Sequence, residues 1–155
     1  MSSVARTNQL LYQVELLLTD AGNTEHTGDD EHAMARRMAL EEAALGQLEL
    51  ALNAVLREVT EHTDIPHAGW REWLRASVNV AELERLRALA GDPESWLAVL
   101  LARLEALHGD EGVARRRPQA GLIAGGAPAL TDELRWCHRE FKALLPSLRE
   151  GSLEW

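Results

Sequence analysis

The chain has 155 residues, 46% of them hydrophobic and 26% charged, with a formal net charge of −9 at pH 7 and a single cysteine. That length can bury roughly 70% of its unfolded surface without metals or disulfides, so one helical domain over residues 1–155 is expected. The lone Cys137 excludes an internal disulfide and suits a reducing compartment. An acidic balance argues against a broad nucleic-acid footprint, and no stretch nears the ~20 apolar residues of a membrane span. The start, Met1-Ser2-Ser3-Val4-Ala5-Arg6, lacks the apolar run of a secretory signal, so the expectation is a soluble cytoplasmic protein.

Ser3 can cap a first helix from about Val4 to Thr19, with Leu10, Leu11, Val14, Leu17 and Leu18 on one face. A short polar connector, Ala21 to Asp29, implies an antiparallel second helix capped by Asp29 or Asp30. That second helix, about Asp30 to His62, contains no proline and only Gly46. Met34, Met38, Leu45, Leu48, Leu52, Val55 and Val59 fall on a three-four alternation broken by Glu41. The segment Asp20 to Asp64 holds eleven acidic residues against Arg36, Arg37 and Arg57, a balance of −8 and so nearly all of the net charge.

Thr63 to Gly69, with Pro66, stops the helix, and Trp70 to Ala76 can add two turns that set Trp70, Trp73 and Leu74 against neighbours. Asn79 and Glu82 have capping-box spacing for a short helix through Val80, Leu83, Leu86 and Leu89 that ends at Gly91. In Asp92-Pro93-Glu94-Ser95-Trp96-Leu97, Asp92 reads as N-cap and Pro93 as first helical residue. The helix continues to about His108, with Leu97, Leu100, Leu104 and Leu107 inward. Gly109 to Leu130, rich in Gly, Ala and Pro and carrying Arg115-Arg116-Arg117, reads as a long mobile loop. Thr131 then caps a last helix with Leu134, Cys137, Phe141, Leu144 and Leu148 inward, which Pro146 should kink or interrupt before Gly151. The sum is an all-α, antiparallel bundle of four longer helices plus one or two short ones.

Reactive patterns are weak against this background. Arg57-Glu58-Val59-Thr60-Glu61-His62 has the Arg-x4-His spacing of helical ribonucleases of the HEPN class. In a continuous helix the two side chains lie about 140° apart, with His62 extending the apolar stripe, and Glu58 stands where that class has a small polar residue. Glu105-Ala106-Leu107-His108 is the sole Glu-x-x-His pair, whereas a di-iron bundle needs two. His26, Asp29, Asp30, Glu31 and His32 cluster without fixed ligand spacing. Cys137 and His138 are neighbours pointing about 100° apart, and Gly125-Gly126 precedes no lysine-bearing helix start. No cofactor and no metal is expected.

Binding features stand out more. Five of the seven aromatic residues are tryptophan: Trp70, Trp73, Trp96, Trp136 and Trp155. Trp96 reads as core and Trp136 lies off its helix's stripe. Trp70 and Trp73 read as core or interface anchors, and Trp155 as packed tail or docking tail. Arg115, Arg116 and Arg117 form a solvated loop that could also grip an acidic partner, RNA or the acidic helix of a second copy.

Ala5-Arg6-Thr7-Asn8-Gln9-Leu10-Leu11-Tyr12, Pro93-Glu94-Ser95-Trp96-Leu97 and Leu153-Glu154-Trp155 together resemble a family of short bacterial proteins classed as a domain of unknown function. The resemblance implies a bacterial cytoplasmic helical protein without known activity, and it draws attention to Arg6, Thr7, Asn8 and Gln9 as a bundle cap or the wall of a groove. Two functional expectations follow. One is a non-enzymatic module that binds a protein partner or pairs as a homodimer. The alternative is a nucleic-acid-acting protein, a nuclease through Arg57 and His62 or an RNA binder through Arg115 to Arg117.

Overall fold

A computed structural model of the protein describes residues 1–24, 30–65, 69–113 and 129–153. Among them are six helices and no strand: α1 (Ser3–Thr24), α2 (Glu31–Thr60), α3 (Trp70–Arg75), α4 (Ala81–Gly91), α5 (Trp96–Leu107) and α6 (Leu130–Leu153). No described helix is long and apolar enough to cross a membrane.

Cross-helix bonds set the directions. Thr7 meets Glu58, so α1 runs antiparallel to α2. His108 bonds Glu49 while Gly112 sits beside Glu42, which makes α5 antiparallel to α2. Arg103 meets Glu133 and the Trp96 ring packs at a tilt against Phe141, so α5 is antiparallel to α6 as well. Thr131 bonds Glu41 and Arg149 bonds Glu58, so α2 and α6 form a parallel pair inside this otherwise antiparallel bundle. The core joins Leu10, Val14 and Leu18 of α1 to Leu45, Leu48, Leu52 and Val55 of α2. Trp73, Leu83, Leu97, Leu100, Leu134 and Phe141 complete it.

The long helix forms as its residues dictate. The Asp30 carboxylate accepts from the Ala33 N–H at 2.6 Å, and the stripe from Leu45 to Val59 is buried. Met34 and Met38 depart from the expectation, being 48% and 37% exposed. The register explains it. Pairing Thr7 with Glu58 puts Thr24, the end of α1, level with Glu41, and α6 begins beside Glu41 too. The first ten residues of α2, about 15 Å by helix rise, therefore extend past the other described helices. His62 also differs: α2 ends at Thr60, and His62 is exposed in the turn beyond it.

Several caps sit one to three residues away from their expected positions. Ser2, not Ser3, caps α1, its Oγ accepting from the Ala5 N–H at 3.1 Å, and α1 continues past Thr19 to Thr24 with Ala21 fully buried. Val80 rather than Asn79 precedes α4, without a side-chain cap. Asp92 closes a turn instead of opening α5, its carbonyl accepting from Ser95 N and its carboxylate from Glu94 N. Ser95 is the cap: its Oγ accepts from the Ala98 N–H at 3.1 Å and donates to the Leu89 carbonyl, tying α5 to the end of α4. Ser95→Ala should lower stability by about 1 kcal/mol in chemical denaturation, and Asp92→Ala by less than about 0.5 kcal/mol. The reverse order would return the cap to Asp92.

Thr131 lies inside α6, fully buried, rather than capping it. Pro146 does not interrupt α6, which runs on past Gly151 to Leu153. Pro146 and Lys142 are both exposed, so the carbonyl that loses its partner is on the solvent side of the helix. Leu145 takes the buried position expected of Leu144, and Leu107 is only partly buried.

Candidate functional site

Polar side chains converge most tightly where the start of α1 meets the ends of α2 and α6. Glu58, with a side chain 7% exposed, accepts from the Thr7 hydroxyl at 2.7 Å and from Arg149 Nε at 3.0 Å. Arg149 Nη2 also donates to the Asn8 side-chain carbonyl at 3.1 Å. Two members of the polar quartet at the helix start thus enter one network. Arg6 and Gln9 stay outside it, exposed and bonded to each other at 2.7 Å. Glu58 was passed over in the sequence because it reads as the residue after Arg57 in a nuclease pattern. Its signal was its position on the inner side of α2 beside Val59.

A second cluster lies where α2, α3 and α5 meet. Glu49 receives both the Trp70 indole N–H at 3.3 Å and His108 Nε2 at 2.9 Å. Arg71 stacks over the Trp70 ring at 4.4 Å and bonds Glu105 at 3.1 Å, which raises the guanidinium pKa and lowers that of the carboxyl. The Glu-x-x-His pair is thereby split, Glu105 turning to Arg71 and His108 to Glu49. A carboxylate-held imidazole can move a proton. Among the described residues no hydroxyl or thiol is bonded to its ring.

Other candidate groups face apart. The Cys137 Sγ is fully buried and donates to the Trp96 carbonyl, while His138 Nε2 donates to the Leu11 carbonyl at 2.9 Å. Burial pushes the Cys137 thiol up to about 12, with the Glu133 charge adding to it, and burial holds His138 below the ordinary imidazole value. At neutral pH the sulfur is a protonated thiol and no nucleophile. Its proton gives a signed pH dependence. The unfolded thiol ionises above about 9 while the folded one does not, so stability should fall as pH rises from 9 toward 12, by about 1.4 kcal/mol per unit. Urea titrations of the wild type against Cys137→Ala should show that slope only in the wild type.

Trp73 is 1% exposed and Trp70 7%, both packed in the core, and Trp136 is partly buried against it. Arg57 and His62 are both exposed, and although α2 ends between them, no described hydrogen bond or ion pair joins them. Arg115, Arg116, Arg117, Gly125, Gly126, His26, Asp29 and Trp155 lie outside the described residues, as does most of the 109–130 segment. Among the described residues no group of three or more His, Cys, Asp and Glu side chains could hold a metal ion.

The sequence reading missed the outward face of α1. Ala5, Gln9, Tyr12, Leu16, Thr19 and Asn23 are all exposed, Tyr12 at 61% and Leu16 at 49%. Both are apolar and out of phase with Leu10, Leu11, Val14 and Leu18, which was the available signal. No curated protein and no solved structure matches the chain. Its sequence profile is matched over residues 1–155 by that of a family of unknown function, and the chain belongs to that family, DUF6586.

Proposed function

We propose that this protein is a non-enzymatic interaction module of a reducing compartment such as the bacterial cytoplasm, acting by self-association or by docking a protein partner. One observation carries the reading: Tyr12 and Leu16 sit one helical turn apart on the solvent side of α1, away from the core. The converging polar groups support it, because Thr7, Glu58 and Arg149 tie three helices together and Glu49 and His108 join two. Such pairs hold a scaffold rigid; they do not aim a reactive atom at a cleft.

The test is light scattering of the purified chain over a concentration series, with affinity capture by wild type and by Tyr12→Glu/Leu16→Glu. Self-association, or a partner retained by wild type and lost by the variant, is expected. A monomer that captures nothing specific overturns the proposal. Cleavage of total RNA that is lost in His62→Ala would replace it with the nuclease reading.

A further inference from the structure

We propose that the outward face of α1 is the contact surface for a second copy of this chain, the two α1 helices lying antiparallel about a two-fold axis near Val14. This rests on the interaction-module reading and names its partner. The exposed positions Ala5, Gln9, Tyr12, Leu16, Thr19 and Asn23 alternate by four and three residues, the spacing that keeps a seam straight between two helices. The order of that seam is self-complementary. Laid antiparallel on its copy, Tyr12 faces Leu16 of the second copy and Leu16 faces Tyr12, so the two large apolar side chains of each face cover those of the other. Gln9 faces Thr19, a pairing of polar side chains able to bond, and Ala5 faces Asn23. A two-fold contact requires such a palindrome, because the same patch must fit itself.

Charge gives the second, independent argument. The chain carries −9, and α2 with its preceding connector holds most of it, so two copies repel over much of their surface. Along the edge of the α1 seam stand Arg6, Gln13 and Asp20, spaced by seven residues and therefore on one side of the helix. Antiparallel pairing sets Arg6 against Asp20 of the second copy and Asp20 against its Arg6, with Gln13 near Gln13 at the axis. Both charged residues are exposed, and among the described residues Arg6 bonds Gln9, one turn away. Glu15, exposed and about 100° round from Leu16 on the opposite edge of the seam, comes near Glu15 of the second copy at the axis, one repulsive pair against the two Arg6–Asp20 pairs.

Sedimentation equilibrium of the full chain should show a monomer–dimer equilibrium. Tyr12→Glu/Leu16→Glu should weaken it at least about tenfold without changing the thermal transition, since both residues are exposed. Arg6→Asp and Asp20→Arg should each weaken it by about two- to fivefold, and the two together should restore it, because the swapped charges again meet across the axis. Orientation is read by cysteine placement, with Cys137 buried and out of reach. Gln13→Cys should oxidise to a disulfide-linked dimer. Asn23→Cys should not, because antiparallel pairing puts the two copies of that position about 27 Å apart along the seam. Cross-linking at both positions would mean parallel pairing and overturn the proposal. A dimer untouched by Tyr12→Glu/Leu16→Glu overturns the α1 face while leaving self-association standing. A monomer at every concentration overturns the α1 pairing, and the broader module reading then stands or falls on partner capture.

Discussion

Trp73→Ala lowers the unfolding free energy by about 4 kcal/mol, a large part of what a domain of this size has. Trp73 is 1% exposed, and its ring sits where α3 is held against α2 and α4. A six-residue helix has no stability of its own, so α3 persists only through what it buries. Arg87 reinforces this by donating to the carbonyls of Trp73, Leu74 and Val78 at 3.3, 2.9 and 3.3 Å, which satisfies backbone groups at the end of α3. Removing the ring leaves a cavity bordered by Arg87's bonds and the neighbouring helices, and the loss appears as a shifted denaturation midpoint. Tyr12→Ala, on the exposed face of α1, changes stability by less than about 0.5 kcal/mol. If Trp73→Ala unfolded like wild type and instead lost self-association or a partner, Trp73 would be an interface anchor, the other role its sequence position allows.

Arg149→Met costs about 3 kcal/mol, because it strands the Glu58 carboxylate in a site 7% open to solvent with only the Thr7 hydroxyl as donor. Methionine keeps most of the apolar stem, so the effect reports the lost charge pairing rather than a hole. The reverse substitution is milder. In Glu58→Gln, Arg149 keeps Asn8 and a side chain 26% exposed to water, and the amide still accepts one bond, so about 1 kcal/mol is expected. Thr7→Val should likewise cost about 1 kcal/mol, since Glu58 retains Arg149. Replacing both charges, as Glu58→Leu with Arg149→Met, should recover much of the loss by removing both groups that need desolvation. Denaturant titrations of the wild type, Glu58→Leu, Arg149→Met and the two substitutions together form a double-mutant cycle. A coupling between Glu58 and Arg149 near zero would mean the pair is solvated and does not tie α2 to α6.

The family resemblance and the helical architecture were legible in the chain, and most helices were placed within a few residues. Periodicity reports which side of a helix is apolar, and Leu45 through Val59 of α2 and Leu134, Cys137 and Phe141 of α6 fall inside as that period demands. Capping was read less well for a stated reason. Asp92 and Ser95 are both competent caps, and the choice fell to Ser95 because its hydroxyl also reaches the Leu89 carbonyl of the preceding helix, a contact that exists only once α4 and α5 are folded together. Pro146 obeyed its local rule in losing a backbone bond but not in ending the helix, since the freed carbonyl faces water.

By itself the sequence determined an all-helical chain, a long acidic second helix, an inward-facing Cys137 and membership of a family without known activity, because each depends on composition or on a period along one helix. Tertiary structure alone decided what lies across helices: that α2 and α6 run parallel, that Glu58 gathers Thr7 and Arg149, that Glu49 separates His108 from Glu105, and that Met34 and Met38 extend past the other described helices. Each of these pairs residues far apart in the chain, or depends on where neighbouring helices end, and no local period encodes register between helices. The exposed seam of α1 belongs to both. Its spacing is written in the sequence, and only packing showed which side of the helix was left uncovered.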